Sequence, residues 1–128
     1  MSDFKAIFDQ TKTIAIVGLS ANTSRASNEV AQYLMPHFEV IPVNPNHDEV
    51  LGLKCYPDRQ SIPVAVDMVD VFQRSENVDP FVQPAIDIGA KCFWMQLGIE
   101  SAWARAELEA AGIMVVEDRC TKIEFARL

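Results

Sequence analysis

The stretch "TIAIVGLSANTSRASNEVAQYL", Thr13 to Leu34, changes its hydrophobic period part-way, and that change decides the fold. It begins with an apolar run closed by Gly18, which reads as a strand buried on both faces because no polar residue interrupts it. A polar loop follows. From Ser27 to about Met35, Val30, Ala31 and Leu34 recur at helical spacing; Ser27 is the expected N-cap, and Pro36 lies just past the end. The unit is strand, loop, helix.

Outward from it the pattern repeats. "FEVIPVNP", "VDMVDVFQ", "KCFWMQL" and "GIMVVED" read as four further strands. Between the third and fourth strands, Asp79 as N-cap and Pro80 at the first helical position start a helix closed by Gly89, with Pro84 expected to bend it. Its apolar face carries Val78, Phe81, Val82, Ala85 and Ile86. Ser101 to Ala111, closed by Gly112, is the next helix, and "CTKIEFARL" a short final one. An opening helix from about Asp3 to Gln10 puts Phe4, Ile7 and Phe8 on one side. The segment "HDEVLGLKCYPDRQSIP" is expected to be an irregular crossover, with a short extended piece at Leu53 to Tyr56. Alternating strands and helices imply an α/β fold: a doubly wound, mainly parallel five-stranded sheet with helices on both faces, in one domain spanning residues 1–128.

Composition narrows the function. The chain has 128 residues, 49% of them apolar, enough for one core and too few for a second domain. A net charge of −7 argues against a nucleic-acid surface, which needs a basic stripe. No apolar run reaches membrane-span length, and the N-terminus lacks the order of a signal peptide, so the chain reads as cytosolic. Cys55, Cys92 and Cys120 are widely spaced, with no CxxC pair, and read as free thiols; His37 and His47 fall in connecting stretches.

Ligands of doubly wound sheets sit beyond the C-terminal strand ends. Here those ends are Gly18-Leu19-Ser20, Val43-Asn44-Pro45, Phe72-Gln73-Arg74 and Gln96-Leu97-Gly98. The helix starting near Ser27 offers backbone N–H groups and a positive dipole end to a phosphate, with Arg25, Ser20, Thr23 and Ser24 beside it. A dinucleotide turn would need GxGxxG and an acidic residue about 20 positions on, whereas only Gly18 is present and the second strand ends in Asn44. No GxxxxGK[ST] occurs either.

Together the opening stretch, "VIPVNP", "LGLKCYP", "VDMVDVFQRSENV", "GAKCFWMQLGI" and "AGIMVVEDRC" resemble the small CoA-binding proteins, whose domain is similar to the N-terminal CoA-binding domain of succinyl-CoA ligase alpha subunits. The resemblance implies that the loop from Gly18 to Ser27 wraps CoA phosphates, with Ser20, Asn22, Thr23, Arg25 and Ser27 in contacting positions. It also implies that Asn44 and Pro45 lie against the nucleotide part, and that Phe72, Arg74 and Gln96 follow the ligand's path. Arg25 and Arg74 are the expected phosphate partners, since a guanidinium fork donates two bonds at once.

The sequence departs from relatives in three places. Prolines common near Thr23 and Ala26 are missing, Glu29 stands where some relatives are basic, and Gln73 replaces a frequent second arginine. The ligase relatives use a phosphohistidine on a second domain, which this chain lacks, and no base is identifiable beside Cys120. The expectation is therefore non-catalytic binding of coenzyme A, free or acylated. An NAD(P)-binding enzyme or sensor, or an interaction protein that has lost its ligand, are the alternatives.

Overall fold

Continuous apolar runs become central strands. The computed structural model describes residues 4–58 and 61–128; Asp3, the expected start of the first helix, lies outside them. The strands are β1 (Thr13–Val17), β2 (Glu39–Val43), β3 (Glu49–Val50), β4 (Leu53–Lys54), β5 (Met68–Val71), β6 (Cys92–Met95) and β7 (Met114–Val116). Five of them form one parallel sheet in the order β2-β1-β5-β6-β7. The helices are α1 (Phe4–Asp9), α2 (Ala26–Leu34), α3 (Val82–Asp87), α4 (Ala102–Ala110) and α5 (Thr121–Ala126). Every residue of β1, β5 and β6 is buried.

Strand alternation divides those residues between two cores. Ala15, Val17, Val69, Val71, Phe93 and Met95 pack on one face with Val82 and Ala85 of α3 and Ala104 and Leu108 of α4. Ile14, Ile16, Met68 and Trp94 pack on the other with Ile7 and Phe8 of α1 and Val30, Ala31 and Leu34 of α2. Burying each such large side chain contributes about 1.5–3 kcal/mol. Phe8 ties the second face together, its ring 5.5 Å from Trp94 and 5.2 Å from Phe125 of α5.

Three local expectations are corrected. Ser27 is not the cap of α2: the helix starts at Ala26, Arg25 holds the N-cap position, and no side chain caps it. The Ser27 hydroxyl instead accepts from the Ser20 backbone N–H at 3.0 Å, closing the loop. Asp79 does not cap an α-helix either, because Asp79–Phe81 is a 3-10 turn and α3 begins only at Val82. Its carboxylate accepts from the Ser101 hydroxyl at 2.8 Å, while Ser101 itself caps α4 as expected. Pro84 consequently falls in the first turn of α3, where a backbone donor has no intrahelical partner to lose, so the helix is split ahead of the proline rather than bent at it.

The crossover after β2 is more ordered than expected. β3 and β4 form an antiparallel hairpin, turned at Leu51 and Gly52, which both have positive φ. Tyr56 then bridges to Val43 in parallel. Among the described residues no helix is long and apolar enough to cross a membrane.

Candidate functional site

The sheet order reverses direction beside β1, so the crevice expected of a doubly wound fold opens between the ends of β1, β2 and β5. Gly18 leaves β1 with φ +83° after its N–H donates to Val43 at 2.9 Å. The loop then doubles back over two cross-links. Ser20 N–H reaches Ser27 Oγ, and Asn28 Nδ2 donates to the Ser20 carbonyl at 2.8 Å. Asn22 shapes the loop tip, its Oδ1 accepting from the backbone and hydroxyl of Ser24 at 2.9 and 2.7 Å. These bonds tie down the loop in which prolines near Thr23 and Ala26 are absent.

A cavity of about 380 Å³ lies against this loop, lined by Gly18, Ser20, Arg25, Ala26, Ser27, Asn44 and Phe72. The N–H groups of Ala26 and Ser27 begin α2 there without an acceptor among the described residues. The Arg25 side chain likewise has no ion-pair or hydrogen-bond partner among them, in contrast to Arg105, which pairs with Glu109 and Glu117. Donors without acceptors beside a positive helix end are an anion site in chemical terms. Asn44 is positioned rather than free: its Nδ2 donates to Leu19 at 3.1 Å and its Oδ1 accepts from Asn46 at 2.9 Å.

A second cavity of about 390 Å³ continues from the first over β5 and β6, sharing Ala26 and Phe72 with it. Its other lining residues are Val30, Gln73, Arg74, Gln96, Leu97, Gly98, Ile99 and Cys120. The structure thus gathers Gly18, Ser20, Arg25, Ser27, Asn44 and Phe72 around one cavity, and Phe72, Arg74 and Gln96 around the other. It leaves Asn22, Thr23 and Pro45, all but Pro45 on the loop tip, exposed outside both linings.

Beneath the second cavity lies a group that sequence reasoning missed. Asp70 of β5 is fully buried and bonded to Gln96 Nε2, and its other oxygen accepts from the Thr121 hydroxyl at 3.1 Å. Gln96 Nε2 also donates to Thr121 Oγ1 at 2.8 Å, and Gln96 Oε1 accepts from Thr121 N–H at 3.4 Å. Burial raises the Asp70 pKa to about 7, against the pull of these two hydrogen-bond partners. The signal was Asp70 itself, the second aspartate of "VDMVDVFQ", set between Val69 and Val71 in a strand otherwise reading as central. Burial likewise pushes the Cys92 thiol up to about 12, with the Asp70 charge adding to it, so Cys92 is an inert core residue.

Residues 12–126 match the family described as the CoA binding domain. The chain belongs to that family. A Bacillus subtilis relative, the uncharacterised protein YneT, is 35% identical over 98% of this chain and 93% of its own length. A hypothetical protein from Pyrococcus horikoshii has the same CoA-binding-domain architecture at TM-score 0.95, with 38% identity over 98% of this chain and 89% of that one. A dinucleotide-forming acetyl-coenzyme A synthetase from Korarchaeum cryptofilum, solved with phosphate and ADP, is also similar, at TM-score 0.74 and 26% identity. That match covers 90% of this chain but 27% of the synthetase, so the CoA-binding domain here corresponds to one part of a larger enzyme there.

Proposed function

We propose that this CoA-binding domain binds coenzyme A itself, free or as a thioester, and does so without catalysing a reaction. One observation carries the reading: the uncapped N-terminus of α2 and the unpaired Arg25 guanidinium line the same cavity. A diphosphate there would accept from the Ala26 and Ser27 N–H groups and from Arg25 together. The family membership adds the ligand class, and Arg74 at the far cavity supplies a second cation.

Binding rather than catalysis is supported by what lines the two cavities. Their titratable side chains are Arg25, Arg74 and Cys120, with no histidine or carboxylate among them to act as acid or base. The same reading takes the protein as cytosolic, consistent with its three free cysteines.

Thermal shift with CoA, dephospho-CoA, NAD and ATP tests the ligand. CoA is expected to give the largest stabilisation; a larger shift with NAD would favour the dinucleotide alternative. Arg25→Ala is expected to weaken CoA binding by about 1–3 kcal/mol, the scale of charged hydrogen bonds, while leaving the melting temperature of the free protein unchanged because Arg25 has no partner to lose. A calorimetric dissociation constant equal to wild type would remove Arg25 from the site.

A further inference from the structure

The two cavities are one trough with two chemistries, joined through Ala26 and Phe72. Resting on the CoA reading above, we propose that the second cavity receives the acyl end of a thioester, and that this chain binds short-chain acyl-CoA more tightly than free CoA.

The lining selects hydrocarbon. Val30, Phe72, Leu97 and Ile99 contribute apolar surface, and a thiol such as that of Cys120 packs as a small apolar group. Gln96 is polar, but both ends of its amide are already engaged by Asp70 and Thr121, so it has little left to offer a phosphate or a base edge. A purine placed here would have only Gln73 and Arg74 as polar partners and would leave its other ring nitrogens facing Val30, Leu97 and Ile99, a loss of hydration. The second cavity's other polar side chains are Gln73 and the exposed Arg74, while the hydroxyls and the backbone donors at the start of α2 gather around the first, at Ser20, Ala26 and Ser27. With phosphates held at α2, the tail that reaches β5 and β6 ends in the apolar half.

Leu97 makes the preference for an acylated tail specific. It is 59% exposed at the cavity rim, and Cys120 and Leu97 also line an adjoining hollow next to Ile123, itself 41% exposed. A free thiol reaching this point covers none of that surface, whereas each methylene beyond the thioester does. A fully buried methylene corresponds to about a fourfold gain in affinity.

The test is isothermal titration of the intact chain with CoA, acetyl-CoA, butyryl-CoA and hexanoyl-CoA at one salt concentration. Affinity is expected to rise about two- to fourfold per methylene until the chain outgrows the cavity, and Leu97→Asn is expected to flatten that rise. Saturable binding of CoA with affinity that is flat or falls along the series overturns the acyl proposal and leaves the CoA reading standing. Binding of no member of the series overturns both.

Discussion

Gly18→Ala is expected to destabilise the protein by about 3 kcal/mol, far more than an alanine at a turn glycine elsewhere in the chain. A Cβ at this position would lie 2.7 Å from the Phe72 carbonyl oxygen and 2.8 Å from Gln73 Nε2, and the φ of +83° is itself unfavourable for an L side chain. The left-handed conformation costs about 1–2 kcal/mol, and forcing atoms into packed backbone about 1–3 more. The Gln73 amide can swing away, but the Phe72 carbonyl belongs to the chain leaving β5 and cannot move without disturbing the Phe72 N–H bond to Val17 at 2.9 Å. Gly112 supplies the control. Its φ is +82°, yet a Cβ there meets nothing within 4 Å, so Gly112→Ala should cost only about 1 kcal/mol. Urea unfolding of both variants measures the difference; equal losses would mean that the close approach of β1 and β5 at Gly18 has been misjudged. Because Gly18 and Phe72 both line the first cavity, the same variant should lose ligand binding even under conditions where it remains folded.

The second large effect is on pH. Asp70 has a folded pKa raised by burial from 3.8 to about 7, so between those values the folded state holds a proton that the unfolded state releases. Its contribution is complete below about pH 4, declines as pH rises, and is lost above about pH 7. Three pKa units at about 1.4 kcal/mol each put the whole change at about 4 kcal/mol, of which about 2–3 falls between pH 5 and pH 8. Asp67 titrates in the opposite sense: burial alone would raise its pKa, but the Lys12 and Thr13 N–H groups and Lys91 outweigh it and lower it. Its contribution is present above about pH 4 and lost as pH falls below that, outside the Asp70 window. Asp70→Asn keeps an acceptor for Gln96 and a group able to bond Thr121, and removes the titration. Unfolding free energies at pH 5 and pH 8 should therefore converge in the variant and differ in wild type. If wild type and Asp70→Asn lose the same stability over that range, the pH dependence arises elsewhere.

The elements of the sheet were legible because their physics is local. A strand covered on both faces must be apolar without interruption, so "TIAIV" and "CFWM" declare themselves, and the residues following each run line the two cavities. Hydroxyl assignments were less legible. Ser27 satisfies the composition of an N-cap, but whether its oxygen serves its own helix or the Ser20 N–H depends on how the loop folds back, a distance that spacing alone does not encode. Asp79 shows the same ambiguity, its carboxylate being drawn to Ser101 across the sheet end rather than to its own helix. The Asp70 network joins residues 26 and 51 positions apart: the pairing of β5 with β6 brings Gln96 to Asp70, and the placement of α5 adds Thr121. The hairpin did leave a signal: Leu51-Gly52 between "EV" and "LK" is a two-residue turn with both φ positive, as such hairpins require.

The site was legible in outline because backbone donors at a helix start follow from the strand-loop-helix order itself. The apolar character of its second half was not, since Val30, Phe72, Leu97 with Ile99, and Cys120 come from four separate segments. The loop that lacks the prolines of its relatives is cross-linked instead by the Ser20–Ser27 and Ser20–Asn28 bonds.

Whether the trough holds CoA is read by titration calorimetry of purified, folded protein. Saturable binding of one CoA per chain is expected, weakening with added salt as the phosphate contacts are screened and again with Arg25→Ala. Absence of saturable binding up to millimolar CoA, in protein whose melting transition is intact, would contradict the CoA reading.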